Sequence, residues 1–198
     1  MRDFPTSYAY NAIREFTVGP ITQRNRNLLL WRDPSVDGIK TGHTSEAGYC
    51  LMASAKRNDM RLIAVVLDDV SENQRAVDAE ALLNWGFRFF EGHVLYAPGK
   101  PVTTQRVWKG EANQVALGVS APLRVTVPRG QYGKLKASME LPKALVAPLK
   151  AGQAVGTVKV TLDGKPLVSQ PLVVMQAVPE AGFFGRLWDS LLMWWHDL

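Results

Sequence analysis

One cysteine and no long apolar run set the first limits on this 198-residue chain. Cys50 has no second cysteine to pair with, so no intramolecular disulfide holds the fold. Its place in Tyr49-Cys50-Leu51-Met52-Ala53 makes it a small buried hydrophobe, and it leaves the redox compartment open. No apolar stretch approaches the roughly 20 residues of a membrane-spanning helix. The start, Met1-Arg2-Asp3-Phe4-Pro5, has neither an apolar h-region nor a small-residue cleavage site, so no signal peptide is expected and no route of export is visible.

What is present is globular in character. With 46% hydrophobic and 21% charged residues, the composition excludes disorder and collagen-like structure and allows one large domain or two small ones. The net charge of +5 is unevenly spread: residues 94–180 carry 11 Lys/Arg against 4 Asp/Glu, while the flanking blocks are each net −1. That middle block could attract anionic lipid, an acidic polymer or nucleic acid. Its cations are scattered singly through predicted strands, which fits a solvated basic surface, and they are not clustered with aromatics as single-strand binding requires. No nucleic-acid partner is expected.

Residues 1–33 contain Pro5, Gly19-Pro20 and the polar run Gln23 to Asn27, which predict short elements and turns. A strand is expected over Val36 to Lys40. The apolar runs Ala47 to Lys56 and Arg61 to Leu67, separated by Arg57-Asn58-Asp59-Met60, predict a hairpin in a sheet covered on both faces. Asp68, Asp69 and Ser71 offer helix-capping chemistry. Ala76, Ala79, Leu83, Phe87 and Phe90 follow at helical spacing, and Gly92 is the expected stop. Pro98-Gly99-Lys100-Pro101 marks a boundary turn. Beyond it the pattern alternates, in Leu123/Val125/Val127, Leu135/Ala137/Met139/Leu141 and Val158/Val160/Leu162, with Asp163-Gly164 as a hairpin signal. This second unit is predicted to be a small all-β sandwich.

The last segment, from Gly182 to Leu198, is amphipathic. On a helical wheel Phe183, Phe184, Leu187, Trp188, Leu191, Leu192, Trp194, Trp195 and Leu198 share one half, while Arg186, Asp189, Ser190, His196 and Asp197 fill the other, with Met193 the one apolar residue out of place. A 16-residue helix is about 24 Å long, short for a bilayer core of about 30 Å. A tryptophan-rich face suits a helix lying in the membrane interface. The alternative is a helix docked on its own protein.

Lys40-Thr41-Gly42 is the motif that bears chemistry. Where serine acyl-transferases carry this triplet, it lies on an edge strand lining the active-site cleft. The lysine supplies a fixed positive charge beside the nucleophile, the threonine hydroxyl donates to a substrate carboxylate, and the glycine lets substrate backbone approach. Around it, Val36 to Thr44, Ala47-Gly48-Tyr49, Met60 to Val66, Leu82 to Glu91, Thr126 to Gly130, Leu135 to Ser138 and Ala181 to Gly185 together resemble the D-alanyl-D-alanine carboxypeptidases, the low-molecular-mass penicillin-binding proteins. The resemblance spans nearly the whole chain.

That resemblance implies an α/β remnant of a β-lactamase-like, penicillin-binding transpeptidase domain over 1–92, an all-β sandwich domain over 93–180 and a C-terminal amphipathic anchor helix over 181–198. It implies that Lys40 and Thr41 contact the terminal D-alanine of the peptidoglycan stem peptide, that Gly42 and His43 line the same strand, and that Arg75 helps hold the terminal carboxylate. For Arg75 the alternative is a solvated residue in a helix's first turn. β-Lactam antibiotics would be partners of the parent enzyme, at the periplasmic face of the bacterial inner membrane, with membrane lipid bound through Phe183, Phe184, Leu187, Trp188, Leu191, Trp194 and Trp195. No metal and no cofactor are implied.

The family's acylation needs S-x-x-K, in which Ser attacks the carbonyl and Lys assists proton removal, and S-x-N on the opposite cleft wall. None of the nine serines, at 7, 35, 45, 54, 71, 120, 138, 169 and 190, has Lys three residues later. Ser71-Glu72-Asn73 spells S-x-N but follows the K-T-G, where it reads as a helix cap. The expectation is therefore a fragment carrying one cleft wall without nucleophile Ser or general-base Lys, inactive by itself. The alternative is a non-catalytic, membrane-tethered cell-wall module.

Overall fold

The computed structural model describes residues 1 and 3–196, with side chains described as far as Met193. Contacts divide the chain into one unit of residues 1–92 with 126–129, and a second of 93–125 with the chain from 130 onward.

The first unit opens with short elements, as its prolines, glycines and polar run predict: α1 (Pro5–Tyr8), a 3-10 turn (Ala9–Ala12), the hairpin β1 (Glu15–Val18) and β2 (Ile21–Arg24), and α2 (Leu29–Arg32). β3 (Val36–Thr44), β4 (Gly48–Arg57) and β5 (Met60–Asp69) then form an antiparallel three-stranded sheet in that order. The β4–β5 turn is two residues long, with Asn58 in the left-handed region that Asn tolerates. α3 (Glu72–Phe89) follows, and the Ser71 hydroxyl accepts from the Gln74 N–H at 3.0 Å as its N-cap.

Ala76, Ala79, Leu83 and Phe87 of α3 pack on Leu51, Ala53, Ala55 and Ala64 of the sheet with Leu29, Leu30 and Val36. The approach is close at Gly86, where an added Cβ would lie 2.5 Å from Leu62 Cδ1. Two expectations fail here. The helix stops at Phe89, because Phe90 turns extended and starts β6 (Phe90–Tyr96), so Gly92 lies inside a strand. The last carbonyls of α3 are instead met by Arg129, whose guanidinium donates to Phe87 O at 2.9 Å and Arg88 O at 3.0 Å. The sheet is also not covered on both faces, since Met52, Ile63, Val65 and Leu67 are exposed. Apolar alternation tells that a face is to be covered but not which part of the chain covers it.

In the second unit a continuous six-stranded ladder runs β10 (Leu135–Glu140), β12 (Ala154–Leu162), β13 (Lys165–Val174), β8 (Gln114–Gly118), β7 (Pro101–Trp108) and β11 (Leu145–Val146). β6 pairs with β9 (Leu123–Pro128). Asp163 and Gly164 both have positive φ and join β12 to β13, as the hairpin signal predicts. Bulges at Ala154/Gly156 and Val160/Thr161 interrupt the β12–β13 register. Two clusters fill the unit, one around Val107, Leu117, Leu145 and Val174, the other around Leu123, Val125, Val158, Val160 and Leu172. Along β10 the alternation misleads: Leu135 is half-buried while Ala137 and Met139 are exposed on an edge strand.

Candidate functional site

Lys40, Thr41, Gly42 and His43 follow one another along β3, an edge strand of its sheet. Lys40 stands opposite Met52, which in turn stands opposite Val65, so the lysine shares the open face of the sheet with these apolar side chains. Thr41 stands opposite Leu51, which is buried toward α3. The strand thus offers an ammonium on one face and a hydroxyl on the other. Lys40 Nζ donates to the Thr41 carbonyl at 2.5 Å.

Gly42 has neither a positive φ nor a crowded neighbourhood: an added Cβ would meet Cys50 Cβ at an ordinary 3.8 Å. Neither packing nor conformation demands glycine here. Its exposure leaves the backbone of the edge strand open to an approaching chain. His43 stacks on Tyr49, with ring centroids 3.9 Å apart, and its Nδ1 lies 3.0 Å from Gly48 O. If Nδ1 carries the proton, that bond leaves Nε2 as the acceptor.

Arg75 is not solvated. It is 2% exposed, which excludes a free residue in the first turn of α3. Its guanidinium donates to Gly42 O at 3.1 Å, Arg26 O at 3.3 Å and Cys50 O at 3.4 Å, with Glu72 Oε1 at 3.4 Å. The charge therefore sits behind the K-T-G strand, on the side of the Thr41 hydroxyl, and ties β3 to β4 and to the loop before α2. Replacing Arg75 with Met keeps most of the apolar stem but removes the donors from these carbonyls. The expected loss is about 3 kcal/mol of unfolding free energy, read by urea denaturation of the whole chain. A loss below about 1 kcal/mol would show that the clamp is dispensable.

Two further braces were invisible in the sequence. Asn27, buried, donates to Gly38 O at 3.1 Å and accepts from the Leu29 N–H at 3.2 Å. Arg61 holds both oxygens of Asp37 at 2.6 Å and donates to Ser54, while the Tyr8 hydroxyl donates to Asp37 at 2.9 Å. Burial alone would raise the Asp37 carboxyl, but its bonds from Arg61 and Tyr8 hold it below the ordinary carboxylate range. No local pattern links residues 8, 37 and 61, which is why spacing could not find them. Together these contacts hold β3 from Asp37 to Gly42.

The tail forms α4 (Phe183–His196) in the second unit. Its polar side bonds back: Asp189 accepts from the Lys109 N–H at 2.5 Å, and Arg186 meets Glu180 at 2.9 Å. Phe183, Phe184, Leu187, Trp188 and Leu191 are exposed, Phe184 at 84%. The Trp194 and Trp195 side chains, expected on the same face, lie outside the described residues. Among the described residues no helix is long and apolar enough to cross a membrane.

Residues 1–71 match the family model for D-alanyl-D-alanine carboxypeptidase, and residues 90–180 match that for the penicillin-binding protein 5 C-terminal domain. The chain belongs to the D-alanyl-D-alanine carboxypeptidase family. D-alanyl-D-alanine carboxypeptidase DacC of Escherichia coli is 49% identical over 199 residues, covering 100% of this chain and 50% of that protein. DacA of the same organism is 44% identical over 99% of this chain and 49% of its own length. Among solved structures, penicillin binding protein 5 from Haemophilus influenzae is 44% identical with a TM-score of 0.77, covering 90% of this chain and 53% of that one. The chain thus spans about half the length of the relatives it matches, and the match covers their C-terminal portion.

Proposed function

We propose that this chain is the substrate-wall portion of a serine-type D-Ala-D-Ala carboxypeptidase of peptidoglycan maturation, whose parent enzyme removes the terminal D-alanine of the pentapeptide at the periplasmic face of the inner membrane. In this reading residues 1–92 are the C-terminal part of a β-lactamase-like catalytic domain, 93–180 a sandwich domain and 181–198 an interfacial anchor. The observation that carries it is the open K-T-G edge strand held from behind by the buried Arg75. A substrate strand lies along Gly42, its terminal carboxylate accepts from the Thr41 hydroxyl, and Arg75 supports that carboxylate through the Gly42 carbonyl as a positioning residue. Lys40 supplies positive charge toward the nucleophile. β-Lactams, as analogues of the same peptide, occupy the same strand.

No serine of these 198 residues is paired with an S-x-x-K lysine, so the wall has no covalent chemistry of its own. Fusing the half of DacC that this chain does not match to residue 1 of the chain supplies that pair. The chimera should release D-alanine from a D-Ala-D-Ala peptide, and Lys40→Ala in it should lower kcat about 10²- to 10³-fold, as loss of one electrostatic contact does. A folded chimera indifferent to Lys40→Ala would remove the basis of the reading. The second reading, a membrane-tethered module without catalysis, draws on α4, whose polar side is engaged by Lys109 and Glu180 while its apolar side faces outward.

A further inference from the structure

Within the second unit, the chain entering α4 is tied to the connection that follows β7. Glu111 N–H donates to Pro179 O at 3.0 Å, Ala181 N–H donates to Lys109 O at 2.8 Å, and Gly110 bridges Glu180. Further along the helix, Asp189 accepts from the Lys109 N–H. Both main-chain groups of Lys109 are thus used to fix α4, which docks through its polar side and leaves its apolar side outward. Between helix and strands lies a crevice of about 460 Å³, lined by Lys109, Val146, Glu180, Arg186, Leu187 and Ser190, with Phe183 beside them.

The crevice holds both signs of charge. Lys109 and Arg186 are set against Glu180 in the lining and Asp189 behind it, so the charges nearly cancel. Arg186 and Glu180 are 2.9 Å apart but about half exposed, at 45% and 47%, and a pair so exposed holds only weakly against a competing partner. Ser190 gives its hydroxyl proton to Arg186 O at 2.8 Å, which leaves its oxygen as an acceptor. The rim is apolar: Phe183, Leu187 and Val146 are exposed, and the first two belong to the outward side of α4.

We propose that this crevice seats the headgroup of a phosphoethanolamine lipid, its phosphate accepting from Lys109 and Arg186 and its ammonium donating to Glu180 and the Ser190 oxygen. The proposal rests on the reading of residues 181–198 as an interfacial anchor. Charge complementarity chooses the occupant. A choline headgroup has no N–H to donate to the carboxylate, and a glycerol headgroup brings an anion with no cation to meet Glu180. A zwitterion with N–H donors matches both poles, while its acyl chains run out along Phe183 and Leu187 into the interface that α4 occupies. Helix and strands then read headgroup chemistry together, which the apolar face of the helix cannot do by itself.

The test is flotation of the full chain in high salt, which screens long-range attraction to the basic second unit. Vesicles of phosphatidylcholine alone are compared with vesicles in which part of it is replaced by phosphatidylethanolamine or by phosphatidylglycerol. Partitioning should be about tenfold tighter with phosphatidylethanolamine, the order of one charge-assisted hydrogen bond. Lys109→Gln and Glu180→Gln should each cut that preference below about twofold, whereas Lys165→Gln, at the β12–β13 hairpin of the same unit, should keep it. Equal partitioning of the unmodified chain onto all three compositions would overturn the crevice and leave the anchor standing. A preference that survives both crevice substitutions would be an effect of lipid packing and would overturn it too, as would a preference for the glycerol headgroup. No flotation on any vesicle would sink the anchor reading and the crevice with it.

Discussion

Deleting residues 182–198 should lower partitioning of the chain onto phospholipid vesicles at least a hundredfold, on neutral and anionic vesicles alike. Five described apolar side chains of α4 face outward. Burying such a side chain is worth about 1.5–3 kcal/mol, so even half-burial of all five contributes roughly 4–7 kcal/mol. A hundredfold change needs only about 2.8 kcal/mol. Electrostatics should matter little to the helix, because Arg186 is paired with Glu180 and its other described charge is the carboxylate of Asp189, so the tail offers no basic patch. Flotation at low and high salt separates the two contributions. Binding that survives the deletion, or that vanishes on neutral vesicles or at high salt, would place attachment on the basic second unit.

The larger effect concerns chemistry. Given a D-Ala-D-Ala peptide, the 198-residue chain alone should release D-alanine at least 10⁴-fold more slowly than a full-length relative such as DacC under the same conditions. Nucleophile and base act as a unit, so loss of either removes nearly all covalent catalysis, and loss of both removes little more. In the proposed reading, what the K-T-G wall retains is binding and electrostatic orientation. Turnover within a hundredfold of the relative, persisting in Lys40→Ala, would mean that another serine had been overlooked.

Much of the fold was legible because it is local. The β4–β5 hairpin, the Ser71 cap, the 3.6-residue spacing of Ala76, Ala79, Leu83 and Phe87, and the Asp163-Gly164 turn are written within a few residues of where they act. The two-sided tail was legible for the same reason, as far as its side chains are described. The end of α3 was not, because Phe90 is claimed by a strand whose pairing is distant. Nor was the outcome along β10, where alternation is present but an edge position leaves Ala137 and Met139 in solvent. At the site, the K-T-G announced itself by residue type and order. The state of Arg75 could not be read, since its burial depends on carbonyls of residues 26, 42 and 50 that only the fold brings together. The Tyr8, Asp37 and Arg61 brace was missed for the same reason.

Intact-mass spectrometry with penicillin tests most directly whether this chain is a substrate wall that lacks its nucleophile. The account predicts no mass shift on the 198-residue chain alone, and one penicilloyl group per molecule on the chimera that supplies S-x-x-K, placed by peptide mapping on the serine of the added half. A stoichiometric penicilloyl adduct on the chain alone, or none on a folded chimera, would contradict it.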